Sequence, residues 1–100
     1  MSNNYLDIKK YFLKNFISEI DNTDIFTLVD SLGKILLNNL QLEPTTYSQK
    51  PFDFGIPSCV LKAFDNKNKY RYACQIMQIL FLHILKSFNI NCRPVVVFTN

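Results

Sequence analysis

Three cysteines and a single histidine are the side chains of this sequence best suited to nucleophilic chemistry. A cysteine thiol becomes a nucleophile when a neighbouring base takes its proton. Cys74 and His83 fall in one predicted helix, where a separation of nine residues at about 100° per residue points them to opposite faces. Nothing local brings Cys59 or Cys92 to His83, and a lone histidine on an apolar helix is usually structural. The sequence therefore predicts no catalytic residue.

The same residues are a poor set of metal ligands, because zinc needs three or four clustered side chains and no C-x-x-C is present. The glycine-rich loops that hold nucleotides are also absent. We predict no metal and no cofactor, and an enzyme with an unrecognised site is only the third hypothesis. An odd number of cysteines without a signal peptide predicts buried, reduced thiols in a reducing intracellular compartment, the cytoplasm or nucleus.

A different chemistry is suggested by "NKNKYRY" at residues 66–72, where Lys67, Lys69 and Arg71 alternate with tyrosines such as Tyr70. Cations beside aromatic rings can hold phosphates and stack on bases. These four side chains are the candidate nucleic-acid contacts. A solvated turn with its tyrosines directed inward explains the pattern equally well, and the net charge of +3 forms no basic stripe.

The elements that position these side chains follow from apolar periodicity. A chain of 100 residues that is 48% apolar forms one domain, residues 1–100, with a substantial core. The strongest series of apolar residues at spacings of three and four covers about 70–88 and predicts a central helix. That helix is too short and too interrupted by polar residues to span a membrane, so no membrane partner is expected.

The flanking segments predict a mainly α fold of three or four helices around the central one. "NYLDIKKYFLKNFISEIDN" is an amphipathic helix, residues 41–57 form a long connection lying against the domain, and Ser58 caps the short helix "CVLKAF". The chain ends in a short apolar strand at 94–98.

The stretch "TDIFTLVDSLGKILLNNL" permits two interpretations. As one helix it begins after Asn22 or Thr23 and keeps apolar spacing throughout, which favours this interpretation. As a strand at 25–29 followed by a helix, it gives the alternative fold, a small α/β domain in which strands 25–29 and 94–98 pair in parallel.

Under the second interpretation, "IFTLVDS" resembles the first strand and acidic residue of flap-endonuclease-like (PIN-like) nucleases, and "LHILKSFNINCRPVVVF" is similar to their next helix, turn and strand. The resemblance covers the N-terminal half of that fold and implies that Asp30 stands at the first metal-binding acid. Thr99 stands where the next acid is expected, and the further acidic cluster has no room in this chain. Two-metal hydrolysis needs several carboxylates, so the resemblance implies a degenerate or truncated relative.

The terminal strand carries the main functional hypothesis, since an apolar strand needs a neighbour for its backbone groups. Strand addition to a partner's sheet is a common recognition mode. We therefore predict a non-catalytic protein-protein interaction or assembly subunit that associates with itself or with a larger complex. The alternative is a small nucleic-acid-binding or degenerate nuclease-like module. The predicted interaction residues are Val95, Val96, Val97 and Phe98.

Overall fold

The computed structural model describes residues 4–42 and 53–90, and within these ranges the chain forms four helices and one small sheet. The prediction of a mainly α fold is thereby confirmed. The predicted strand at 94–98 lies outside the described residues. In chain order the elements are α1 (Asn4–Asn15), α2 (Ile25–Asn39), β1 (Gln41–Leu42), α3 (Cys59–Asp65), β2 (Arg71–Tyr72) and α4 (Cys74–Ser87).

The ambiguous stretch is helical throughout, and its first residues explain why. The backbone N–H of Thr27 donates to the Asp24 carboxylate at 2.9 Å, while the Asp24 N–H donates to Thr27 Oγ1 at 3.1 Å. This reciprocal capping box starts α2 directly at Ile25. The alternative strand at 25–29 is therefore wrong, and so is the α/β fold built on it. The segment that resembles a first nuclease strand is the N-terminal part of α2.

The sheet is a parallel pair of two-residue strands, in which Gln41 aligns with Arg71 and Leu42 with Tyr72. The side chains add to the pairing, since Arg71 Nε donates to Gln41 Oε1 at 3.2 Å. The pair joins the end of α2 to the start of α4. Because residues 71–72 are extended, the central helix begins at Cys74 and not near residue 70.

Helix α4 is the centre of the domain, and α1, α2 and α3 all pack against it. Ile76, Leu80 and Ile84 of α4 are buried in the same core cluster as Leu32 and Ile35 of α2. On the other side, α1 and α3 meet in a cluster of aromatic rings. The rings of that cluster belong to Tyr11, Phe12, Phe16, Phe64 and Phe88.

His83 is buried on α4 and has a hydrogen-bond partner in the chain. Its side chain is 8% exposed, and its Nε2 lies 2.9 Å from the carbonyl oxygen of Phe54. A carbonyl can only accept, so Nε2 carries the proton and donates. The bond ties the segment before α3 to the middle of α4.

Candidate interaction surface

An apolar groove of about 250 Å³ lies between α2 and α4. It is the feature of the described surface that best fits a binding site, because its lining is almost entirely apolar. Leu36 and Leu37 of α2, Leu42 of β1, and Met77 and Phe81 of α4 contribute side chains to it.

Gly33 forms part of the groove because it lacks a side chain. A Cβ placed on Gly33 would lie 3.5 Å from Cζ of Phe81, which is ordinary van der Waals contact. The Phe81 ring therefore packs close to the α2 backbone. A larger residue at this position would fill space that is now open to the groove.

Apolar side chains continue from the groove along the outer face of α2. Phe26 is 83% exposed and Leu37 is 61% exposed, while Leu42 at the end of the groove is 46% exposed. At about 100° per residue, Phe26, Gly33 and Leu37 fall on one side of the helix. We call these three residues the α2 stripe. Large exposed apolar side chains on the face that borders an apolar groove indicate a candidate interaction site.

The other flank of α2 borders a polar cleft of about 400 Å³ that includes Asp21 and Asp30. Hydrogen bonds from the hydroxyl and backbone N–H of Thr23 lower the pKa of Asp21. Asp30 pairs with Lys34 of its own helix at 2.9 Å. Within residues 4–42 and 53–90, no three His, Cys, Asp or Glu side chains are grouped so as to hold a metal ion. Asp30, the acid singled out by the nuclease resemblance, therefore belongs to no such group there.

The four candidate nucleic-acid contacts lie together in the turn after α3 and at the start of β2. Lys67, Lys69 and Arg71 are exposed and Tyr70 is half-buried. Two of the cations already have contacts within the chain. The Lys69 ammonium lies 5.3 Å from the centre of the Tyr70 ring, and Arg71 bonds to Gln41.

The two described cysteines have opposite environments, and both are free thiols. Cys59 is buried, and burial, aided by the charge of Asp53, raises its pKa to about 11. It is therefore inert at neutral pH. Cys74 is exposed at the edge of the groove, so the expectation that the cysteines are buried is wrong for this residue. The position falls in the first turn of α4, beyond the face that packs on the core.

No protein family, curated protein or solved structure matches this chain. Function must therefore be inferred from its own surface. Among the helices of residues 4–42 and 53–90, none has the length and apolarity needed to cross a bilayer. The predicted contacts Val95, Val96, Val97 and Phe98, like Cys92, lie outside the described residues.

Replacing Tyr72 with phenylalanine should leave the free energy of unfolding at pH 7 unchanged or raise it. The side chain is fully buried, and within the described residues its hydroxyl has no hydrogen-bond partner. An unpaired buried hydroxyl costs about 1–3 kcal/mol, and the phenylalanine ring keeps the edge contact with Phe54. Urea unfolding of the two proteins measures the difference. A clear loss of stability in Tyr72→Phe would contradict an unpaired hydroxyl.

Proposed function

We propose that this chain is a non-catalytic protein-protein interaction or assembly subunit, and that the α2 stripe with the adjoining groove is its contact surface. The observation that carries the proposal is the exposure of Phe26, Leu37 and Leu42 beside an apolar groove on a folded helical face. Covering such surface is favourable by about 25 cal/mol for each Å² of apolar area removed from water. A partner that covers it gains affinity without any chemistry at the site.

The shape of the surface indicates the kind of contact. Two helices border the groove, so it suits an apolar helix face whose anchoring side chains recur at three and four residues. The terminal residues 94–98 remain a second predicted contact, through strand addition. A reducing compartment, the cytoplasm or nucleus, suits the exposed thiol of Cys74.

Nucleic-acid binding is the second candidate function. The clustering of Lys67, Lys69, Tyr70 and Arg71 in one turn and strand favours it. The cation over the Tyr70 ring and the Arg71–Gln41 bond weigh against it, because both occupy groups that a nucleotide would need. We therefore place it below the interaction function.

The test compares two glutamate substitutions at apolar residues of matched exposure. Leu37 on the α2 stripe is 61% exposed, and Ile17, outside the groove lining, is 62% exposed. Each variant should keep its fold, because substitutions at exposed positions usually change stability by only about 0.5 kcal/mol. Thermal unfolding of each purified protein checks this.

Tagged full-length chains are then captured from the source cells, and bound proteins are quantified, including a second, differently tagged copy. We expect Leu37→Glu to lose partners that wild type and Ile17→Glu both retain. If Leu37→Glu and wild type retain the same proteins in equal amounts, the α2 stripe is not the contact surface and the proposal fails.

A further inference from the structure

Resting on the proposed interaction function, we propose that the α2 stripe binds a second copy of this chain. The two α2 helices lie antiparallel, related by a twofold axis that crosses their exposed faces at the level of residue 32 along the helix. In such an isologous contact both copies use the same patch. A residue of one copy therefore contacts a residue of the second copy that belongs to this same patch.

The apolar residues of the stripe meet this requirement. Phe26 and Leu37 are about 20° apart around α2 and about 16 Å apart along it. Their midpoint is near residue 32. An antiparallel second copy therefore places its Leu37 against Phe26, and its Phe26 against Leu37. The two most exposed apolar side chains of α2 are covered at once.

The charged residues beside the α2 stripe also meet this requirement of self-complementarity. Asp30 and Lys34 flank the stripe, and their side chains are 65% and 71% exposed. Their midpoint also falls at residue 32, so each Asp30 faces the second copy's Lys34. In a parallel arrangement the two copies of Asp30, like those of Lys34, would lie on opposite sides of the contact, so no opposite charges would meet across it. Opposite charges that face each other favour association, so the charge pattern favours the antiparallel arrangement.

Gly33 lies next to the proposed axis, where the two helices come closest. The distance between packed helices depends on the side chains at the point of contact. With no side chain at Gly33, the second copy can approach the α2 backbone and the Phe81 ring that packs against it. The exposed apolar residues at both ends of the stripe, the opposite charges that face each other across the axis, and the glycine near the axis together make this surface self-complementary.

The experiment uses the full chain and two charge reversals, Asp30→Lys and Lys34→Asp. Wild type should show a concentration-dependent dimer by light scattering and sedimentation. Each variant alone presents like charges across the axis, so its dimerisation should weaken roughly tenfold or more. An equimolar mixture presents opposite charges across the axis and should form a heterodimer. Both variants lack the Asp30–Lys34 pair within the chain, so recovery on mixing reports contacts between chains.

The controls separate this inference from the proposed function. Leu37→Glu should be monomeric, whereas Ile17→Glu should dimerise like wild type. A wild-type monomer at the highest attainable concentration overturns the inference. So does a wild-type dimer whose two charge variants form no heterodimer on mixing. In either case, cellular partners lost only by Leu37→Glu would still support an interaction function with a different partner.

Discussion

Replacing Phe12 with alanine should lower the free energy of unfolding by about 3–5 kcal/mol, the range measured when buried phenylalanines are truncated. Phe12 is fully buried. Its ring centre lies 5.3 Å from that of Phe64 on α3 and 6.3 Å from that of Phe88, at the end of α4. One substitution therefore removes contacts that join three helices. Small domains are stable by about 5–15 kcal/mol, so much of the total is lost.

Thermal and urea unfolding followed by circular dichroism measure this effect. A loss of this size should lower the melting temperature by about 12 °C or more. Leu13→Ala is the matched control on the same helix, because Leu13 is 38% exposed and its truncation removes less buried area than truncation of the fully buried Phe12. A loss below about 1 kcal/mol for Phe12→Ala, similar to that of the control, would contradict the packing of α1 on α3 and α4.

The elements that sequence patterns predicted correctly are those whose signals are local. The apolar spacing of α4 is visible within the helix itself, because a buried helix repeats its contacts every three or four residues. For α2, spacing alone left a strand possible. The deciding feature was the Asp24–Thr27 capping box, which departs from the usual pattern in having threonine where glutamate or glutamine is common.

The small sheet could not be found in this way. Gln41 and Arg71, which pair in this sheet, are separated in the sequence by a long connection and by α3. Each strand has only two residues. Two residues carry no measurable alternation of apolar and polar side chains. The pairing is set by how α2 and α4 pack, so only the folded chain defines it.

The candidate contact surface depends on which helix faces remain uncovered, and that is a property of the whole fold. A weak signal was nevertheless present. The apolar residues spaced at three and four that predict the buried side of α2 are Ile25, Leu28, Val29, Leu32, Ile35, Leu36 and Leu40. Phe26 and Leu37 fall outside this series, and they are the two most exposed apolar residues of α2. Ile25 belongs to that series yet is 55% exposed, because it stands in the first turn of α2, beyond the buried residues. Large apolar residues that fall outside the buried series of a helix are therefore candidate contact residues.

Raising the pH above 9 should destabilise the protein through two buried acids. Burial raises the pKa of Cys59 from 9.0 to about 11, and that of Tyr72 from 10.0 to about 12, with Tyr70 and Cys59 adding to the second shift. The unfolded chain loses these protons first, so their stabilising effect is complete below pH 9. It declines between pH 9 and 11 for Cys59 and between pH 10 and 12 for Tyr72, by about 2–3 kcal/mol each.

Urea unfolding at pH 7, 9 and 10.5, with a reductant present, measures the slope, and two variants assign it. Cys59→Ala should lose the decline that begins near pH 9, and Tyr72→Phe should lose the part that begins near pH 10. The remaining ionisable side chains are the same in the proteins compared, so only differences between the proteins report the buried acids. Equal slopes in wild type and Cys59→Ala would mean that the thiol is reached by water. The segment before α3, which the bond between His83 and the Phe54 carbonyl ties to α4, would then not shield Cys59 from water in solution.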